Sequence, residues 1–340
     1  MKLITFTVPC YNSQGYMKKC IDSLLTGGDD VEIVIVNDGS HDDTPLIAAD
    51  YAEKYPNIVK VVDKENGGHG SGINAGLKQA TGLYFKVIDS DDWVNPDALA
   101  KLIQTIKDHI QADELPDLYI TNFVYCKVGE KEYVSSYETK MPEGKMIAWD
   151  KIKRFKYAHM LLMHALMYRL DKLKESKVVL PEHTFYVDNL YAYQPMPYTR
   201  KIFYLNVNLY CYYIGRSDQS VNSKNIVARY DQQIRVMRHM VDAHKLSEVN
   251  SQPKGLKRYM RHTLNCVMIT TVFFTGAENT PERKKALAEL WEYIKAHDKK
   301  MYKFLRWHSY TTFAYMFDWR VRSKVMWWFY KHYCNTLHLG

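Results

Sequence analysis

The chain predicts an α/β protein: a mostly parallel central sheet built by its first 224 residues, then a helical region. Three observations carry this. Short β-rich apolar runs alternate with segments of helical apolar spacing along the first hundred residues. Three of those runs end in polar or acidic turns, and beyond Asn225 the pattern is helical almost to the end. Strands separated by helices imply right-handed βαβ units and a parallel sheet.

The elements follow in order. "LITFTVP" (3–9) is a short β-rich run, "SQGYMKKCIDSLL" (13–25) has helical apolar spacing, and "VEIVIVND" (31–38) is a buried-strand run. The helix "DDTPLIAADYAEKY", the strand "NIVKVVD", the glycine-rich "ENGGHGSGINAGLKQATG" and the strand "LYFKVID" come next. From about 96 a helix ("PDALAKLIQTIKDHI") leads into a strand ("DLYITNFVYCKV") and an irregular stretch to about 150. A further helix-rich stretch then precedes "VVLPEHTFYVDNLYAYQPM" and the tyrosine-rich "KIFYLNVNLYCYYIGRSDQSVNS". There are no repeats and no low-complexity linker, so the boundary near 225 is one of packing.

Composition bounds the function. With 340 residues, 46% hydrophobic and 14% aromatic, the chain is too apolar to be disordered and long enough for a large domain with an appendage. The six cysteines lie at 10, 20, 126, 211, 266 and 334 without metal-ligand spacing, and no charged-then-apolar leader opens the chain. Reduced thiols in a cytoplasmic protein are expected. No apolar run approaches the roughly 20 residues that span a bilayer. The net charge of +8 is uneven: residues 225–340 hold 20 Lys and Arg against 9 Asp and Glu. Charge alone would allow nucleic-acid binding, but no recognised module supports it.

The chemistry lies in the turns after the strands: Pro9-Cys10-Tyr11-Asn12, Asn37-Asp38-Gly39-Ser40 and Asp89-Ser90-Asp91-Asp92. Ligands of open α/β sheets bind at the carboxyl ends of strands, so the three turns are expected to line one crevice. "NDGS" by itself is an ordinary turn, and the glycine-rich stretch fits neither a P-loop nor a full GxGxxG. Asp92 reads as a cap for the helix that starts at Asn95-Pro96. Asp89 and Asp91 do not. Two carboxylates at i and i+2 in a turn suit one divalent cation, Mg²⁺ or Mn²⁺, holding a diphosphate.

The order "TVPCYNSQGYMKKCIDSLL", "EIVIVNDGSHDDT", "NGGHGSGINAGLKQATGLYFKVIDSDDW" resembles the family-two inverting glycosyltransferases of the GT-A fold, over roughly the first 100 residues. "EHTFYVDNLYAY" and "YYIGRSDQSVN" resemble looser motifs of the bacterial cell-surface polysaccharide and teichoic acid branch, extending the likeness to about 222. The resemblance implies a GT-A catalytic domain over 1–224, with a nucleotide-binding half (1–95) and an acceptor-side half (96–224), and a separate helical domain over 225–340. It implies that Pro9 and Tyr11 sit at the nucleobase, that Asp38 accepts the imino hydrogen of a uracil, and that Asn66, Gly67 and Gly68 approach the nucleotide. Asp89 would contact the ribose and lie near the metal, and Asp91 would ligate it directly. Where the family commonly has an arginine before the Asn of "NAGL", this chain has Ile73. Lys86, Arg216 or His69 would then supply the positive contact.

An inverting transferase needs a carboxylate within reach of the acceptor hydroxyl. Asp188, 97 residues after Asp91, takes that place in the resemblance, with Glu182 and His183 as neighbours that could serve. A helix N-cap is the structural alternative for Asp188. His164 and Arg169 resemble an acceptor-lining segment, with a satisfied structural histidine as the alternative, and Arg216 with Ser220 would either close over the diphosphate or form a surface turn. The basic, aromatic carboxy-terminal part fits docking on an anionic membrane surface, helix packing or oligomerisation. The expected activity is therefore a metal-dependent, UDP-sugar-using transferase acting on a glycan or lipid-linked acceptor. A nucleotidyltransferase is the enzymatic rival, although "VPCYNSQGY" lacks the basic loop of that class. A non-catalytic sugar-nucleotide-binding scaffold subunit of a membrane complex is the third reading.

Overall fold

The structure, a computed structural model, describes residues 1–127, 129–156, 159–214 and 228–315, together with 318, 319, 321, 324 and 328. The expected boundary at 225, Arg216 and Ser220 lie outside the described residues, as does most of the aromatic tail. Two compact units are present. The first comprises Met1–Lys153, Leu161–His183 and Pro195–Tyr213, and the second comprises Arg154–Met160, Thr184–Gln194 and Ile214–Gly340.

The first unit is built on a mixed sheet. Strands β1 (Ile4–Cys10), β2 (Val31–Asp38), β3 (Val59–Lys64) and β4 (Tyr84–Val87) are parallel neighbours in the order β3-β2-β1-β4. All eight residues of β2 are buried, as expected of a parallel strand covered on both faces, and each fully buried Val or Ile contributes about 1.5–3 kcal/mol. Helices α1 (Met17–Leu25), α2 (Thr44–Lys54) and α3 (His69–Gln79) make the crossovers. Because β2 and β4 lie on opposite sides of β1, the chain reverses its direction of travel there, and a crevice opens at such a reversal.

The rest of the sheet is mixed in direction and includes antiparallel pairs. It runs through β9 (Leu166–Arg169), β6 (Leu118–Lys127), β10 (Ile202–Ile214) and β5 (Trp93–Val94), with α4 (Pro96–Gln111) between β5 and β6. The stretch to 150 that reads as irregular contains β7 (Tyr133–Ser135) on β6 and β8 (Met146–Ile147) on β10. The helix-rich reading of the following stretch is corrected. Its only described α-helix before 178 is α5 (Leu170–Glu175), and "LMYR" is strand β9 between β4 and β6. Leu and Met favour helix by propensity, but ladder pairing in a buried sheet overrides so weak a preference.

The second unit is helical among its described residues. It holds α6 (Asp188–Tyr193), α7 (Tyr230–Ala243), α8 (Leu246–Ser251), α9 (Lys254–Gly276), α10 (Pro281–His297), α11 (Lys299–Trp307) and α12 (Thr311–Ala314). Helix α10 starts at a Thr280 cap with Pro281 at its first position, and Asp298 caps α11 by accepting from the Lys300 and Met301 N–H groups. No described helix is long and apolar enough to cross a membrane.

Candidate active site

The turns after β1, β2 and β4 are stitched together at the carboxyl ends of their strands. Asn12, at φ 49°, donates its N–H to the Ser40 hydroxyl, and its side-chain oxygen accepts from the His41 N–H. The Ser13 hydroxyl is hydrogen-bonded to that of Ser90 at 2.8 Å, tying the β1 turn to the acidic turn. Tyr11 projects beside this seam with half its surface exposed, while Pro9 lies within β1. A ring so placed offers a stacking face.

Asp38 closes β2 and is buried. Its Oδ1 accepts from Lys64 Nζ at 2.6 Å and from the Gly67 N–H at 3.0 Å, and its Oδ2 accepts from the Gly68 N–H at 2.7 Å. Asn66 donates its side-chain amide to the Asp38 carbonyl. Oδ2 therefore retains an acceptor position for one further donor. Gly68 adopts φ 82°, a left-handed conformation that glycine allows, and caps α3.

Helix α3 lies close against β1 because it presents glycine to it. A Cβ at Gly76 would fall 1.7 Å from Thr7 Oγ1. Ile73 is buried, so the position the family gives to arginine faces packing here. Asn74 beside it clamps the backbone of Leu180, donating to its carbonyl at 2.8 Å and accepting from its N–H at 3.0 Å. The same segment places Glu182 Oε1 3.2 Å from the Ser71 hydroxyl and binds the His183 N–H to the Gly67 carbonyl at 2.6 Å. Glu182 and His183 thus serve to hold the start of α3.

The acidic turn carries most of the site's unbalanced charge. Asp89 Oδ1 is hydrogen-bonded to His69 Nε2 at 2.8 Å, and its N–H donates to the Tyr210 hydroxyl at 3.2 Å. Burial works against ionisation of Asp89, but His69 and then His164 outweigh it and hold the carboxyl below the usual range. Asp92 is buried, with Oδ2 accepting from the Tyr210 hydroxyl and Oδ1 from the Tyr213 N–H at 2.7 Å. Burial first, then Asp91 and Asp89, push its carboxyl well up. Asp92 therefore anchors β10. The cap of α4 that it was expected to provide belongs to Asn95, whose side chain accepts from the Ala98 N–H at 3.0 Å.

His164 packs behind Asp89. Its ring stacks on Tyr212 at 4.5 Å, meets Tyr210 edge-on at 4.7 Å and Phe123 at 5.4 Å. Burial pushes it down to about 4, so it is neutral at pH 7. Lys86 is fully buried and gives its ammonium to the carbonyls of His164 at 2.6 Å and Leu166 at 3.2 Å; burial pulls it down to about 7. It is thus spent on backbone, and of the described alternatives to a diphosphate-contacting arginine only His69 reaches the acidic turn. Arg169 is not brought together with His164. It pairs in register with Tyr84, at the start of β4, and its guanidinium is held by Asp117 at 3.2 Å and Asp171 at 2.7 Å.

Three ligand atoms, from Asp89, Asp92 and His164, lie within 4.8 Å of one another among the described residues. Asp91 is half-buried in the same turn. Oxygen donors with one imidazole fit a divalent cation, and the surplus of carboxylates over cations at this turn favours one. Sequence reading missed the Asp92–Tyr210–Tyr213 network and the Asn74 clamp. Alternating tyrosines in "LYCYYI" were the available signal for the first.

Asp188 belongs to the second unit, where it opens α6; Val187 rather than Asp188 holds the N-cap position. Tyr186, two residues before it, has φ 62°, uncommon for an aromatic residue, and packs edge-on against Phe274 at 5.5 Å.

The profile of glycosyl transferase family 2 matches residues 5–171. The chain is 29% identical to the putative glycosyltransferase EpsH of Bacillus subtilis over 244 residues, 68% of this chain and 64% of EpsH, so it spans less than two thirds of that relative. It is 30% identical to an uncharacterized glycosyltransferase of Mycoplasma pneumoniae, the MG025 homolog, over 64% of this chain and 70% of the relative. Its fold is similar to that of S. aureus TarS 1-349 in complex with UDP-GlcNAc, with a TM-score of 0.63 at 20% identity, covering 96% of this chain and 89% of that one. By the profile match and the likeness to that Mycoplasma relative, the chain belongs to glycosyltransferase family 2.

Proposed function

We propose that this glycosyltransferase is metal-dependent and inverting, and that it moves a sugar from a UDP-sugar to a hydroxyl of a cell-surface glycan, teichoic acid or glycolipid acceptor. The observation that carries the reading is the acidic turn at the end of β4, joined to the Tyr11 and Asp38 turns at the chain reversal around β1. The UDP-GlcNAc held by TarS supports a UDP-sugar as donor. In this reading Pro9 and Tyr11 receive the uracil, Asp38 Oδ2 accepts its imino hydrogen, and the backbone of Asn66, Gly67 and Gly68 approaches the nucleotide. Asp89 and Asp91 hold Mn²⁺ or Mg²⁺, which when bound stabilises charge on the departing diphosphate. Arg216 is assigned to the diphosphate on the sequence resemblance alone.

Asp188 is proposed as the base, supported by its place in the family order. The acceptor oxygen attacks the anomeric carbon from the face opposite the nucleotide. Its proton passes to the Asp188 carboxylate, and the bond to the diphosphate breaks with its electron pair leaving on UDP. The test is a screen of UDP-sugars for turnover with and without Mn²⁺, repeated on Asp188→Asn. The variant is expected to bind donor normally and to lose transfer by about 100-fold or more. Metal-independent turnover, or near-normal transfer by Asp188→Asn, would overturn the corresponding part.

A lipid-linked acceptor would bring the enzyme to a membrane, and α11 carries a surface suited to it. Lys299, Lys300 and Lys303 are exposed, Trp307 is 56% exposed, and no acid lies between Asp298 and Asp318. Met301, Phe304 and Leu305 fill the opposite face. We propose a catalytic domain over 1–224 and a helical domain over 225–340 that docks on anionic lipid, each basic residue at the surface contributing about 1 kcal/mol. Binding to anionic vesicles that survives high salt, or equal binding to neutral vesicles, would refute this and leave the helices as packing or oligomerisation elements.

A further inference from the structure

The two oxygens of Asp89 have different surroundings. Oδ1 is taken by His69 Nε2 at 2.8 Å, whereas Oδ2 faces His164 Nε2 at 4.0 Å. That second separation is too long for a hydrogen bond. It is the spacing of two donors that share one cation through bonds of about 2.1–2.2 Å at a wide angle.

His164 is buried and held firmly beside that oxygen. The residue is 8% exposed, its Nε2 is the ring nitrogen that faces Asp89, and its Nδ1 has no hydrogen-bond partner. Buried polar atoms are nearly always partnered. The ring is nevertheless fixed in place, stacked on Tyr212, edge-on to Tyr210, and gripped from behind by Lys86 at the His164 carbonyl. Such locking preorganises a donor. The acidic cluster thus has a buried imidazole beside it, with its Nε2 turned toward Asp89 Oδ2 and within the same group of ligand atoms.

We propose that His164 is a nitrogen ligand of the divalent cation bound at Asp89 Oδ2, and that it biases the centre toward Mn²⁺ over Mg²⁺. Imidazole suits first-row transition ions, whereas Mg²⁺ prefers oxygen and retains its water. The inference deepens the metal-dependent reading above and rests on it. It also changes the expected role of His164, from acceptor lining to metal ligand. Asp92 completes the cluster by distance, but both of its oxygens already accept hydrogen bonds, so it acts by positioning Tyr210 and β10.

The test uses the whole chain stripped of metal, titrated with Mn²⁺ with and without UDP, and read by pulsed electron paramagnetic resonance for ¹⁴N coupling to the ion. Wild type is expected to show histidine nitrogen coupling. His164→Gln should lose it and bind Mn²⁺ about 10-fold or more weakly, with a smaller change for Mg²⁺ measured by competition. His69→Gln should keep the coupling. Absence of ¹⁴N coupling in wild type, its persistence in His164→Gln, its loss in His69→Gln, or failure to bind Mn²⁺ in either condition would each overturn the proposal. Should His164→Gln fail to fold, coupling that persists in His69→Gln supports His164 as the donor, and its loss there overturns the proposal. Bound Mn²⁺ without nitrogen coupling would leave the transferase reading intact, while coupling without any UDP-sugar turnover would sink that reading and leave the ligand.

Discussion

Asp38 and Asp89 stand at the carboxyl ends of two strands that flank β1, yet their charges are handled in opposite ways. Asp38 is met by Lys64 and two backbone N–H groups, all from the segment 64–68. Asp89 shares its turn with Asp91 and Asp92, and the nearby ammonium of Lys86 goes to carbonyl oxygens instead. The contrast separates two uses of a carboxylate. One organises a loop with partners from its own chain, whereas the other is left with surplus negative charge that a cation would relieve.

The comparison is broken most directly at the acidic turn. Asp89→Asn, and separately Asp91→Asn, are expected to lower transfer by at least about 100-fold and to abolish the metal-dependent part of UDP binding, with the melting temperature unchanged or raised. Steady-state turnover and UDP titrations with and without Mn²⁺ read this out. Either variant retaining wild-type metal-dependent affinity would remove that residue from the metal site.

Asp38→Ala should do the reverse, acting first on stability. It strands the Gly67 and Gly68 N–H groups and the Lys64 ammonium, at about 1–3 kcal/mol for each buried group that finds no water. Urea unfolding measures the loss. A midpoint equal to wild type would mean that solvent replaces the carboxylate and that the loop is not organised by it.

The smallest effect sharpens the balanced half of the comparison. Glu32, at the other end of β2, accepts from the Thr5 hydroxyl at 2.7 Å, from Lys60 Nζ, and from the Thr81 N–H and hydroxyl at 3.0 and 2.8 Å. Burial raises its pKa, but Lys60, Thr81 and Thr5 together bring it below the ordinary value of 4.5. A carboxyl depressed by folding contributes its full stability above that ordinary value and loses it as pH falls through the lower folded value. Wild-type stability is therefore expected to fall below about pH 4.5, and more steeply than in Glu32→Gln, in paired thermal melts. Parallel curves for the two proteins would exclude Glu32 as a source of that acid sensitivity.

Legibility in the sequence followed how local each cause was. Strand β2 matches its expected bounds, 31–38, because an uninterrupted apolar run between turn signals has few alternatives. The acidic turn was legible for the same reason, since its charges are neighbours in sequence. The Asp92 anchor was not, because Tyr210 and Tyr213 come from a strand more than a hundred residues later. Nor was β9, whose Leu and Met residues carry helical propensity and become a strand only between β4 and β6. Asn74 likewise looked like part of a nucleotide motif, and its amide instead holds Leu180, 106 residues away.

By itself, then, the sequence determined the alternation of strands and helices, the family to which its ordered turns point, and the concentration of acids after β4. These depend on periodicity and on residues adjacent in the chain. Only the tertiary structure decided that Lys86 faces carbonyls rather than a diphosphate, that Arg169 sits at the far end of β4, and that His164 turns its buried Nε2 side toward Asp89. Side-chain direction in a strand depends on which strands pair and in what register, and a single-residue change of register would send Lys86 and Arg169 to the other face of the sheet, while His164 is placed by the turn that leads into β9.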